Sequence, residues 1–262
     1  MSTALETASD TRGTTPAGAV LVADGLTKRF GGLTAVRDVS LSLSVGELHA
    51  VIGPNGAGKS TLVNLLSGTL PPSGGRLMLR GRDVTGWPSH RLAQAGIGRS
   101  FQKTNVLRGM TVFENVRLSA AAPAFGPGRW LRPAARETAP RVAAETALDR
   151  VGLSARGIAG ELSHGQLRLL EIAMALATNP TVLLLDEPLA GMGPEESERL
   201  AALLRELSRD HAVLLIEHDM DVVFAVADTL TVMVDGTVLE CGPPPQIRGS
   251  ARVREAYLGH DV

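Results

Sequence analysis

The 262-residue sequence contains one cysteine, Cys241, which excludes a disulfide framework within the chain and fits a reducing compartment. It has no excess of either charge. Its 26 basic residues face 27 acidic ones, a formal net charge of −1, so it carries no electrostatic footprint for nucleic acid. No apolar run approaches the roughly 18 residues of a membrane span, and the cores VLLL and AVLLI are strand-sized. The opening MSTALETASDTRGTTPAGAV lacks the charged and apolar regions of a signal peptide. Its Ser/Thr/Ala/Gly content predicts a disordered leader over residues 1–18. Together these absences predict a soluble cytoplasmic chain. Lysine is scarce too: Lys28, Lys59 and Lys103 are the only three, and nearly all other positive charge is arginine.

One of those lysines stands in IGPNGAGKSTL, Ile52 to Leu62, between an apolar run and a leucine-rich segment. Upstream, VLVADGL and VSLSLSV alternate with Gly-rich turns and predict antiparallel strands. ELHAVIG reads as a buried strand ending in the glycine loop, and KSTLVNLLSG as a helix stopped at Gly68. RLMLRG reads as a further strand. TVFE at Thr111–Glu114 fits a capping box that opens a helix to about Ala122. The segment APAFGPGRWLRPAARETAP, rich in Pro, Gly, Ala and Arg, predicts a surface insertion or flexible crossing. Beyond two helical patterns, RVAAETALDRVG and QLRLLEIAMALATN, TVLLLDEP opens an order of strand, helix, strand, helix. TVMVDGTVLECG closes as a hairpin through Asp235–Gly236. The expectation is one α/β domain over 19–262. It has a mostly parallel sheet, an antiparallel β part and a helical stretch at about 103–178.

Gly53, Gly58, Lys59 and Ser60 fit G-x-x-x-x-G-K-[ST], the pattern of a P-loop. Glycines let backbone N–H groups converge on phosphate oxygens, and the following helix turns its positive end to them. Gly53, Pro54, Asn55, Gly56, Ala57, Gly58, Lys59, Ser60 and Thr61 are therefore the candidate phosphate contacts. Lys59 would reach the β- and γ-phosphates and Ser60 would ligate Mg²⁺. In LLLDEP, Asp186 is a second candidate for Mg²⁺, and Glu187 a candidate to take the attacking water's proton. On its own an acidic pair at a strand end more often caps the next helix. The P-loop reverses that reading. LSHGQ, Leu162 to Gln166, precedes a helix, so it is a serine-capped start able to bind an anion. One nucleotide scarcely needs two helix N-termini from one chain. A nucleotide shared between two chains could use both.

LSHGQ ahead of LLLDEP, with GPNGAGKST upstream, resembles the ATP-binding cassette ATPases, whose usual signature is LSGGQ; the match runs from about residue 20 to the end. The resemblance implies a P-loop ATPase core, ATP and Mg²⁺ as ligands, and a head-to-tail dimer. Ser163, Gly165 and Gln166 of one subunit would then contact the nucleotide on the other's P-loop. It further implies that Gln102 senses Mg²⁺ and the attacking water, that His218 contacts the γ-phosphate and that Phe30 stacks on adenine. Without the resemblance, these would read as a loop glutamine, a strand-end histidine and a core aromatic. Two departures stand out. His164 replaces the second signature residue, and LAGMGPEE offers no aspartate where the family usually has one after the glutamate.

EPLAGMGPEE, IEHDMDVVFAVAD, FQKTNVLRGMTVFENVRLSA and VREAYLG resemble the ATPases of branched-chain amino acid importers, with urea and amide importers close by. That subgroup implies a second ATPase subunit, alike or different, two membrane permease subunits and a solute-binding protein. It places the chain at the inner face of the plasma membrane. The alternatives are an exporter ATPase of the lipopolysaccharide type, a soluble switch in DNA repair or translation, and an ATP-binding regulator without hydrolysis. Paired cassettes, long coiled coils and basic surfaces, expected of the soluble switches, are absent from the sequence.

Overall fold

The computed structural model describes residues 18–100, 106–122 and 138–258. The expected leader before residue 18, Gln102 and most of the Pro/Gly/Arg-rich stretch lie outside the described residues.

Six strands build the central sheet: β3 (Leu48–Ile52), β6 (Ile97–Arg99), β7 (Val182–Asp186), β8 (Ala212–Ile216), β9 (Thr229–Val234) and β10 (Thr237–Gly242). Their order is β10-β9-β3-β8-β7-β6. All neighbours are parallel except β9 and β10, which form an antiparallel hairpin. Asp235 and Gly236 at its tip both hold positive φ, 49° and 76°, as a tight two-residue turn demands. Every residue of β3, β7 and β8 is buried, which explains why they read as continuous apolar runs rather than alternating ones.

Alternation survives in where the side chains go. Val51, Val182, Leu184, Leu214 and Ile216 join one core, with Leu62 and Leu66 of α1 (Lys59–Leu66). This core also takes Leu21, Leu43 and Leu79 of an antiparallel sheet. That sheet has the order β2-β1-β4-β5, from β1 (Ala19–Phe30), β2 (Leu33–Ser44), β4 (Gly74–Leu79) and β5 (Arg82–Asp83). Leu48, Ala50, Ile52, Leu183, Leu185, Val213 and Leu215 point to the other face and join the second core. There they meet Leu200 and Leu204 of α6 (Pro194–Leu207) and Val223 of α7 (Met220–Val226).

Between β6 and β7 the chain forms α3 (Val112–Ala121), α4 (Thr138–Val151) and α5 (His164–Leu176). These helices share Val116, Ala144, Ala147, Leu148 and Leu170 in the second core. The capping box at Thr111 is present, with the hydroxyl accepting from the Glu114 N–H at 3.1 Å and the Glu114 carboxylate accepting from the Thr111 N–H at 3.0 Å. Strand β6 is not foreshadowed by the sequence pattern. Its three residues include a glycine and offer one buried apolar side chain, Ile97, so pairing with β7 rather than local propensity holds it. The helices α2 (Ser89–Gln94), α8 (Pro244–Gly249) and α9 (Ala251–Leu258) and a 3-10 turn at Ala159–Glu161 complete the described elements.

Because β3, β7 and β8 run parallel and adjacent, their C-terminal ends meet on one edge of the sheet. Gly53, Glu187 and Glu217 each follow one of these ends. This is the edge where α/β sheets place their ligands.

Candidate functional site

The loop from β3 to α1 is pressed against its neighbours so closely that two positions admit only glycine. A Cβ on Gly53 (φ 154°) would lie 2.1 Å from the Met233 carbonyl oxygen. One on Gly58 (φ 97°) would lie 2.4 Å from that of Ala35. The hairpin tip fastens the loop, since the Gly236 N–H donates to the Ala57 carbonyl at 3.1 Å. Gly58 brings no side-chain cap to α1, so the first-turn N–H groups stay available to an external acceptor. Asn55, Gly56 and Ser60 are exposed and Pro54 and Thr61 half-buried, while Lys59 is buried.

The Lys59 ammonium donates to the carbonyls of Gly53 at 2.6 Å and Pro54 at 2.9 Å. Burial lowers its pKa, and the negative charges of Glu187 and Asp186 oppose that fall. The P-loop lysine and the LLLDEP carboxylates thus share one site.

Asp186, 2% exposed, faces the Arg99 guanidinium at 3.7 Å. Its Oδ1 has no hydrogen-bond partner among the described residues. Burial raises its pKa, opposed first by Arg99. A carboxyl group whose pKa is raised by folding adds stability below its ordinary value and loses that contribution as pH rises through the raised one. The ionised form therefore costs stability at neutral pH. Without nucleotide or Mg²⁺, Asp186→Asn is expected to raise the melting temperature at pH 7 by about 2–4 °C per kcal/mol relieved. The gain should vanish near pH 4, and a lower melting temperature at pH 7 would contradict it.

Glu187 is half-buried and holds φ 49°, a left-handed backbone that costs a residue with a side chain about 1–3 kcal/mol. Its N–H donates to the Ile216 carbonyl at 2.9 Å. His218 is exposed, with its Nδ1 3.7 Å from the Glu217 carboxylate. Phe30 is 46% exposed and carries the Lys28 ammonium 5.2 Å from its ring centre.

Ser163 caps α5 by accepting from the Gln166 N–H at 3.2 Å, while Gln166 Oε1 accepts from the Ser163 N–H at 3.0 Å. Buried Gly165 is closed in by the same chain, since a Cβ there would lie 2.8 Å from a Glu196 carboxylate oxygen. Among the described residues no hydrogen bond joins Ser163, Gly165 or Gln166 to the P-loop. Gln102 lies outside the described residues.

The sequence pattern does not single out two charged groups, half-buried Arg99 and buried Glu217. Arg99 Nη1 donates to Asn64 Oδ1 at 2.8 Å and Ser67 Oγ at 2.6 Å, linking the end of α1 to Asp186. Glu217, buried after β8, accepts from the Leu189 N–H at 2.8 Å, and burial raises its pKa. The only sequence signal for either is a charge beside a strand core.

A P-loop lysine facing two strand-end carboxylates suits a nucleotide-binding cassette, and the comparison with known proteins decides its kind. The ABC transporter family model matches residues 36–190. The chain belongs to the ABC transporter family. This cassette is 42% identical over 250 residues to the high-affinity branched-chain amino acid transport ATP-binding protein BraF of Pseudomonas aeruginosa, covering 92% of this chain and 98% of the relative. It is 42% identical over 252 residues to the LivG protein of Escherichia coli K12, with the same two shares. The fold resembles the ADP conformation of an ATP-binding cassette of an ABC transporter, with TM-score 0.82 and 33% identity over 92% of this chain and 99% of that one. A nucleotide-free cassette gives the same TM-score of 0.82 and identity of 33%, over 91% of this chain and 98% of that one. The cassette is therefore an ABC ATPase, a nucleotide-binding subunit whose ATP hydrolysis is coupled to transport.

Proposed function

We propose that this cassette powers an importer of branched-chain amino acids, working as a dimer beneath separate permease subunits. The observation that carries the solute is the identity of 41–42% over nearly the whole length to the branched-chain amino acid transport ATP-binding proteins. Among the described residues no helix is long and apolar enough to cross a membrane, which fits a subunit docked at the cytoplasmic face on membrane partners.

The P-loop N–H groups from Gly53 to Thr61, Pro54 excepted, and the Lys59 ammonium hold the phosphates of ATP, and the open face of Phe30 takes the adenine. The residues suit Mg²⁺: Ser60 has an exposed position at the start of α1, and Asp186 offers a carboxylate oxygen with no described partner. Ser60, Asp186 and Gln102 would hold the ion, whose charge would offset that of the phosphates. Glu187 takes the proton of the attacking water, and His218 contacts the γ-phosphate. Ser163, Gly165 and Gln166 of a second subunit close the site.

Docking has a candidate surface. Leu107 is 50% and Met110 39% exposed. Ile158 is brought beside them by the bridge from Thr111 and by the Ala159 N–H on the Met110 carbonyl. These are surface groups rather than core. Leu107→Glu with Met110→Glu is expected to lower transport by about tenfold or more and leave hydrolysis by the isolated subunit within about twofold. Equal losses in both assays would place these side chains in the fold instead.

The solute is tested by purifying the cassette with its membrane and solute-binding partners and measuring ATP-driven uptake into proteoliposomes. Uptake of leucine, isoleucine or valine is the expected result. Uptake of urea or amides, or ATP-driven export, would overturn the assignment.

A further inference from the structure

Glu217 has no part in the scheme above, yet it is 1% exposed and fully engaged with the backbone around the site. We propose that Glu217 is a positioning residue for hydrolysis, whose carboxylate holds the loop after Glu187 so that the Glu187 side chain meets the attacking water. The inference rests on the ATPase reading and on Glu187 as its general base.

The two residues at the end of β8 hold that loop at two points. The Ile216 carbonyl accepts from the Glu187 N–H at 2.9 Å. The next residue, Glu217, accepts through Oε1 from the Leu189 N–H at 2.8 Å. Its other oxygen accepts from the His218 N–H at 3.2 Å, which fixes the direction of the carboxylate. Glu187, at φ 49°, precedes the second anchor by two residues. A side-chain-bearing residue stays in that region only where its surroundings over-determine it. The Leu189 bond supplies the downstream half of that constraint. A carboxylate, with an acceptor oxygen for each of two separate N–H groups, meets the need. A glutamine offers one acceptor and sets its amide N–H₂ against the other N–H.

The test uses Glu217→Gln and Glu217→Ala in the full-length chain, each alone and combined with Glu187→Gln. It reads steady-state and single-turnover ATP hydrolysis together with melting temperature. Misplacing a reacting group by about 1 Å costs about 100-fold in rate. Glu217→Ala should thus lower kcat by about 100-fold, and Glu217→Gln by about tenfold, with KM for ATP held within about twofold. With Glu187→Gln already present there is no base left to position, so neither change should lower the residual rate beyond about twofold. A structural strut alone would lower the melting temperature and leave kcat per folded molecule intact, which would overturn the proposal. Equal losses with and without Glu187→Gln would also overturn it. Glu217→Gln conserves volume and decides the matter even if Glu217→Ala fails to fold. A wild-type chain without ATP turnover, alone or with its membrane partners, would instead remove the ATPase reading itself.

Discussion

Lys59→Ala is expected to weaken ATP binding by about 30- to 5,000-fold while leaving the fold intact. Truncating one side of a buried, hydrogen-bonded charge pair costs about 2–5 kcal/mol, and each 1.4 kcal/mol is about tenfold in affinity. With ATP bound, Lys59 would be one side of such a pair and the phosphates the other. Its ammonium is buried against the Gly53 and Pro54 carbonyls at 2.6 and 2.9 Å, in the field of Asp186 and Glu187. Without it, incoming phosphates would meet Asp186 and Glu187 with only the Arg99 guanidinium, 3.7 Å from Asp186, to offset them. The fold should survive because α1 is held by Leu62, Val63 and Leu66, all buried in the core. Calorimetric titration with ATP, beside a thermal melt, checks both halves. Unchanged affinity in a folded variant would remove Lys59 from the phosphate site.

Glu187→Gln is expected to lower turnover by about 10²- to 10⁴-fold with ATP still bound, because the amide keeps the shape of the side chain but takes no proton. The backbone should hold, since the Glu187 N–H on Ile216 and the Leu189 N–H on Glu217 both stay in the variant. Phosphate release over time, with nucleotide retention on a filter, measures the two quantities. Wild-type turnover in the variant would assign the base elsewhere.

Much of the fold was legible because several features are local. G-x-x-x-x-G-K-S requires a backbone that only glycine allows at Gly53 and Gly58, and the contacts with Met233 and Ala35 show why. The capping boxes at Thr111 and Ser163 are written within four residues each. The buried strands announce themselves as apolar runs. What was hidden is what depends on distant pairing. β6 exists through its neighbour β7. Arg99 and Glu217 take their meaning from Asp186 and Leu189, far away along the chain. A charge at the end of an apolar run does not say which backbone it will hold. Nor could the sequence say whether Leu107 and Met110 face the core or the surface; the structure turns both outward.

In the proposed mechanism one nucleotide is shared between the P-loop of one subunit and the Ser163–Gln166 helix start of another. Among the described residues Ser163 and Gln166 bond each other, and the proposal is that a second subunit completes the site. Light scattering on Glu187→Gln, with ATP and Mg²⁺ and then with ADP, measures this directly, using the chain alone and mixed with any co-purified ATPase partner. A dimer with ATP, none with ADP, and a weaker dimer when Ser163→Arg is added are the expected results. An ATP-bound Glu187→Gln protein that stays monomeric in every mixture would contradict this mechanism.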